Sequence, residues 1–486
     1  MRPTLRFLDD GLISRIVDQA RELLQTLGVA IHNPEAVAVL ADHGADVDPS
    51  GERVRLSGAI VDRALETAPS SFALYDVLGN RTHDFTGNEV HFTPGSSAIS
   101  ILDGETGEIR KPTTADYVRY AKLMKGLDHL ASQSTAFVPA DVPESISDSY
   151  RLFLSLLFCE KPVITGAFTV EGFDVLRDLQ LIVRGSAEEL TRKPLAVLSC
   201  CPTSPLAWSQ VTSQNVVDCA RHSIPVEFIA MPLSGLVAPV TVVGTLIQHT
   251  AETLSGVVLS QLANPGAPML WGGAPAIFDI RYETTPLGAL ETMMIDCGYA
   301  EVGKFLGLPT QAYASQSDAK QLDAQAGLET GMGATLAALA GINNIAGPGM
   351  LDFVACQSLE KLVVDNEICG MTFRLLEGIR PREDFPALPL FQELLRDKHL
   401  IIADHTRRHL RDEIRFPGPT IDRANRSRWM DEGGVPLRKR AALEVDRLVA
   451  EAEPSALAES VKGELVRRME AEGRRVGVDH LPSRDL

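Results

Sequence analysis

The sequence predicts an α/β fold, a (β/α)8 TIM barrel with an N-terminal helical lead-in segment and a helical C-terminal extension. Three observations lead there. Eight short apolar or β-branched runs each end in Gly, Ser, Thr or Pro. They recur at roughly 30–42 residues, the length of a strand plus its return helix. No hairpin signal joins them, so parallel pairing is expected, and eight parallel strands close a barrel. The alternative, an open doubly wound sheet, lacks its Gly-rich dinucleotide fingerprint after the first strand.

Taken in order, the first 89 residues read as a lead-in. Residues 10–27 carry apolar positions at helical spacing and stop at Gly28, and shorter helices are expected from Pro34 to His43 and from Ser57 to Thr67. Residues 90–380 form the barrel. Its strand runs are 90–97, 130–137, 162–168, 195–205, 225–235, 268–278, 310–318 and 342–349. Intervening helices are expected at 114–127, 171–184, 209–222, 242–262, 287–306 and 321–340. Residues 381–486 change character to charged, helix-forming sequence, an extension suited to a partner or subunit contact.

Composition narrows the function classes. A chain of 486 residues, 45% apolar, can bury a large core. Its net charge of −18 repels nucleic acid and suits, weakly, a cationic small molecule. Asp9 and Asp10 stand where a signal peptide needs apolar sequence, and no uncharged apolar run approaches the ~18 residues of a membrane span. The seven cysteines are scattered without a CxxC pair. A soluble, cytoplasmic protein without a disulfide framework is expected.

In such a barrel, chemistry sits where strands end. That rim holds small residues, amides, hydroxyls and aromatics, and almost no cations or Cys/His/Glu sets. It suits a roomy ligand or a second protein's cofactor entering from above. No metal site is expected: His249 and Glu252 share a helix face without any HExxH, and read as a hydrogen-bonded structural pair. Cys200 and Cys201 read as small hydrophobes. Phe92, Trp271, Phe278 and Tyr313 fall at or near strand ends in a chain with only 6% aromatics. Aromatic faces hold quaternary ammonium by cation–π attraction of about 0.5–2 kcal/mol each, and Asp279 and Asp318 stand close to add negative potential. Packing within the barrel layers is the competing role for each ring.

The stretches CPTSPL (201–206), GTL..H.AE.LSG (244–256), SDAK....QAG.E (317–329), ALAG.N.I.G.GML (338–351) and LVVDN (362–366), with the Phe278–Asp279 pair, occur in one order. Through them the chain resembles the trimethylamine methyltransferase family of corrinoid-dependent enzymes, from about residue 8 to about residue 450. In archetypal members pyrrolysine immediately precedes SDAK; here the position is Gln316. An amide lacks the electrophilic imine of pyrrolysine, so the resemblance points to the subgroup associated with quaternary amines such as glycine betaine. It implies that Gln316 is the catalytic residue orienting substrate, with Phe92, Trp271, Phe278 and Tyr313 holding the ammonium. Asp318 and Lys320 either bind a substrate carboxylate or brace their own loop. The chain carries no corrinoid-binding signature, so no cofactor is expected to be bound tightly, and the corrinoid is expected on a separate partner protein. The segment 405–413 and the region of Trp429 are candidates for touching that partner or a second subunit of a homo-oligomer, with a solvated amphipathic helix as the alternative. Two rival functions remain open at this point: transfer from a tertiary methylamine or to another acceptor such as a pterin, and a non-catalytic betaine-binding subunit.

Overall fold

The computed structural model describes residues 2–51 and 53–484 as an α/β protein. Eight short parallel strands carry the core: β1 (His91–Thr93), β2 (Gln133–Ser134), β3 (Val163–Thr165), β4 (Ala196–Cys200), β5 (Val226–Phe228), β6 (Met269–Leu270), β7 (Gln311–Tyr313) and β8 (Asn344–Ala346). Each lies inside one of the eight runs that the sequence singles out. They pair as two parallel ladders, β2-β3-β4-β5-β6 and β7-β8-β1. An isolated parallel bridge joins Trp271 to Thr310 between β6 and β7. On the other side, Ala131 N–H donates to Phe92 O at 3.1 Å, from β2 to β1.

A helix follows every strand: α1 (Thr114–Lys125), α2 (Ser147–Phe158), α3 (Val170–Arg184), α4 (Gln210–Arg221), α5 (Val242–Ala263), α6 (Leu290–Phe305), α7 (Ala324–Leu339) and α8 (Leu359–Leu376). Caps fix where several start. Thr113 and Asp116 form a reciprocal capping box on α1, and the side chains of Thr169, Ser209 and Thr241 accept N–H bonds at the heads of α3, α4 and α5. Helix α5 is buried along almost its whole length. It has no solvent face because the N-terminal helices Asp10–Thr26, Pro34–Asp42 and Gly58–Thr67 pack over it.

Two features depart from a plain repeat of strand and helix. An antiparallel hairpin, Phe72–Tyr75 with Arg81–Phe85, lies under the N-terminal ends of the strands. Its Leu74 and Phe85 pack on Ile164, Val197 and Leu270. Its turn is built by Asp76, which accepts from the N–H groups of Leu78 and Asn80. A second hairpin, Ser100–Leu102 with Ile109–Arg110, follows β1.

Beyond α8 the chain is helical. Helix Leu437–Glu451 packs on α8 and α1, and Glu459–Arg475 on α2 and α3. Before these two, and after α8, helices Leu388–Asp397 and Asp404–Glu413 bury no residue at all.

Candidate active site

Side chains alternate across a strand, so register decides which residues face inward. The hairpin packs on Ile164, Val197 and Leu270, which marks the inner face of β3, β4 and β6. Two residues further along β4, Ser199 is again inward, and it pairs with Glu227 of β5. Glu227 in turn pairs with Leu270, Gln311 with Asn344, and Tyr313 with Ala346.

The inward residues form a polar floor. Ser199 Oγ donates to Glu227 Oε1 at 2.7 Å, and Asn344 Nδ2 approaches Oε2 at 3.4 Å. Glu227 is fully buried, and burial pushes its carboxyl up to about 7. Tyr313 and Cys201 stand close enough to feel its charge, which together with burial raises both groups, the Cys201 thiol to about 12. A thiol so placed is a poor source of thiolate. Ser199, Cys201 and Tyr313 nevertheless keep partial exposure. The floor therefore lies beneath an accessible recess.

Above it stands Gln316, on the turn that leaves β7. Its Nε2 donates to Tyr313 O at 3.0 Å and Leu287 O at 3.2 Å. Its Oε1 is buried and accepts no hydrogen bond among the described residues. The oxygen keeps its capacity to accept from a ligand. The turn is heavily braced. Ser317 Oγ and the Asp318 N–H both donate to Glu329 Oε2, at 2.6 and 2.8 Å. Gly347, at φ +129°, lies against it: a Cβ there would come 2.5 Å from Gln316 Oε1 and 2.7 Å from its amide nitrogen. Close by, Gly349 N–H donates to Asp365 Oδ2 at 2.7 Å, and Lys361 Nζ reaches that same oxygen at 2.5 Å in a buried pair. The GPG segment after β8 is thus fixed from behind by α8.

The other expected residues scatter. Phe92 is fully buried on the helix side of β1, its ring edge-on to Phe373 of α8 at 5.4 Å. Trp271 is also fully buried, with Nε1 donating to Tyr299 O on α6 at 2.9 Å. Both rings lie between strands and helices, so the recess is drawn without them. Phe278 is half-buried on the rim after β6, beside the short pair Leu233–Ser234 with Ala276–Ile277. Asp318 uses its carboxylate on the N–H groups of Leu287 and Gly288, at 3.1 and 2.8 Å, and burial raises it to about 6. Lys320 is exposed, with Nζ 3.9 Å from the centre of the Phe353 ring and 3.6 Å from Asp352. Asp279 is bound to Arg281 at 2.6 Å. These contacts brace loops.

His249 stacks on Tyr299 at 4.1 Å and meets Gly272 O at 3.1 Å, and burial pulls its pKa down to about 3. Glu252 instead accepts from Ser204, Leu206 and Gln248. Sequence reasoning missed Glu227, Ser199 and Asn344. The one signal available was a carboxylate placed between Val226 and Phe228 inside a strand run.

Comparison with known proteins now decides the family: residues 1–474 match trimethylamine methyltransferase. The chain belongs to the trimethylamine methyltransferase family. It is a methyltransferase. Among its relatives within the family, the trimethylamine methyltransferase of Desulfitobacterium hafniense is 29% identical over 94% of this chain and 92% of that protein. The trimethylamine methyltransferase of Methanosarcina thermophila is 32% identical over 86% of this chain and 87% of that protein. A glycine betaine methyltransferase of Desulfitobacterium hafniense is 27% identical over 98% of each. The fold is also similar to the crystal structure of Methanosarcina barkeri monomethylamine methyltransferase, with a TM-score of 0.53 and 11% identity over 98% of this chain and 89% of that one.

Proposed function

We propose that this family member moves a methyl group from a quaternary amine or betaine to a corrinoid carried by a separate protein, within a closed (β/α)8 barrel. The bridge between Trp271 and Thr310 and the bond from Ala131 to Phe92 support closure of the ring. The observation that carries the substrate reading is the inward Glu227, whose charge reaches Tyr313, the residue whose carbonyl accepts from Gln316.

A quaternary nitrogen already bears its charge and departs as a neutral tertiary amine with the electron pair of the broken C–N bond. No general acid is needed. The chain's task is therefore to hold the headgroup, aim one N-methyl outward and exclude water. Glu227 supplies negative potential once a permanent cation lowers its pKa. Tyr313 offers a ring face, and Phe278 closes the rim. Gln316 Oε1, already desolvated and without a partner, faces polarised N-methyl C–H groups and orients the headgroup. Asp318 and Lys320 hold the loops that frame the opening.

The bound corrinoid supplies the nucleophile that accepts the methyl group. The rim fits a corrinoid presented from outside: Ile99, Phe168, Met231, Leu236 and Ile280, on loops after β1, β3, β5 and β6, are exposed apolar side chains that a docking surface would cover. A second apolar surface serves self-association. Ile379, Phe385, Leu388, Phe391, Leu395, Ile401 and Ile402 are 56–97% exposed on the segment between α8 and the last helices. Seven such side chains present on the order of 800 Å², the area one partner contributes to a stable dimer. No helix among the described residues is long and apolar enough to cross a membrane. The seven unpaired cysteines suit the reducing cytoplasm.

The test mixes purified protein, reduced corrinoid protein and a panel of methylated amines, and follows methyl transfer by the corrinoid's absorbance. Quaternary substrates should react and trimethylamine should not. Gln316→Leu should slow transfer by about 10–100-fold. Reaction with trimethylamine alone, or binding of betaines without transfer, would overturn the proposal.

A further inference from the structure

At the rim, Arg151 of the second turn of α2 points towards the ends of β1 and β2. The residue is fully buried. Its Nε donates to Ser147 O at 3.1 Å, and its Nη1 to Thr135 O at 2.9 Å and Ser97 Oγ at 3.0 Å. Its Nη2 is buried with no hydrogen-bond partner among the described residues. Over the guanidinium lies the ring of Phe168, 4.5 Å from the central carbon and itself 43% exposed on the loop after β3.

A buried guanidinium usually meets a carboxylate, because an uncompensated charge in a dry interior is costly. Here the acidic neighbour is Asp148, and it makes no ion pair with Arg151: its oxygens accept instead from the N–H groups of Phe168 and Ser149, at 2.9 and 2.6 Å. Asp148 tempers the charge without bonding to it, and the two Nη2 hydrogens are left without an acceptor among the described residues. The surroundings are those of a ligand site. Ser96 and Ser97, both only part-buried, line the approach, and Ser97 is held at φ +64°, a strained position for a residue with a side chain.

We infer that Arg151 is the carboxylate subsite of the recess, binding the acidic end of a zwitterionic substrate beneath Phe168. This rests on the quaternary-amine reading above and deepens it: the preferred methyl donor carries a carboxylate as well as the charged nitrogen. Simple alkylammonium ions lack the second anchor. Lys320, which the sequence offered for that role, lies outside on the Phe353 ring.

Direct titration calorimetry of the whole chain with trimethylglycine and with propyltrimethylammonium tests it, needing no corrinoid. Wild-type protein should bind trimethylglycine at least about tenfold more tightly, the worth of a charge-assisted hydrogen bond. In Arg151→Gln that preference should collapse towards one. Should Arg151→Gln fail to fold, the wild-type comparison still decides. Equal affinities for the two ligands, or a preference surviving in Arg151→Gln, would overturn this inference and leave the quaternary-amine reading standing. Binding of neither, with a tertiary amine bound instead, would overturn that reading and this inference with it.

Discussion

Replacing Glu227 by Gln isolates the carboxyl at the floor of the recess. In the folded chain burial raises it from an ordinary 4.5 to about 7, so the protonated form is the favoured one. A carboxyl raised on folding adds stability that is fully present below its unfolded value and is lost as pH rises through the folded one. The shift corresponds to about 3 kcal/mol in total, of which about 2.5 kcal/mol falls between pH 5 and pH 8.5. The amide that replaces the carboxyl in Glu227→Gln cannot titrate. Every other group is shared, so the difference between the two proteins should move by about 2.5 kcal/mol in favour of the variant across that interval. Urea unfolding of both proteins at the two pH values, followed by tryptophan fluorescence, reads it directly. A difference that stays constant within about 0.5 kcal/mol would refute the argument that this carboxyl is held neutral inside the strands. A quaternary cation bound above it should reverse the preference. Near pH 6.5 ligand binding to wild type should then release a proton, visible as a buffer-dependent heat, and the variant should release none.

Other perturbations probe the frame around the recess. Gly347→Ala should force Gln316 aside and lower methyl transfer by about 100-fold with the circular dichroism spectrum unchanged, since misplacement by about an ångström costs that much; full activity would show that the turn is slack. Asp365→Asn strands Lys361 in the interior and should destabilise by about 3–5 kcal/mol in denaturant unfolding, whereas Lys361→Met with Asp365→Leu should recover part of the loss. Replacing Phe385, Leu388 and Phe391 together by Ser should convert a dimer to a monomer in light scattering, and a wild-type monomer would refute the self-association surface.

Much of the fold could be read from the chain. All eight strands lie within the expected runs, and the three N-terminal helices fall within a residue of expectation. Helices α2 and α8 were not anticipated, for a shared reason: Ser147–Leu156 and Leu359–Asp365 are buried on every side, so no polar stripe gives them a helical period. The hairpin at residues 72–85 escaped notice because its turn is made by one aspartate's side chain rather than a two-residue Gly turn.

The candidate site was legible in part. Gln316 drew attention through the motif beside it, and its Oε1 stands in the structure without a hydrogen-bond partner among the described residues. Phe92 and Trp271 sit where strands end, yet a single-residue difference in parity turns them towards the helices. Glu227 and Arg151 were invisible because nothing in the surrounding sequence marks their burial, and only the folded chain shows both buried without an ion-pair partner among the described residues. The cation-binding and anion-binding roles proposed for them are not a pattern that any short stretch of sequence can carry.

The hairpin beneath the strands has a consequence for traffic. Leu74 and Phe85 stopper the far end, so with the ring closed as proposed the recess is a blind alley with one doorway. Whatever enters would leave by the same way, and the partner proposed to collect the methyl group would stand in that doorway while it works. On that proposal the spent amine would wait until the partner departs, and turnover would become a queue: substrate in, partner on, partner off, amine out. Excess partner should then slow steady-state turnover by trapping product, an inhibition that a barrel open at both ends would not show.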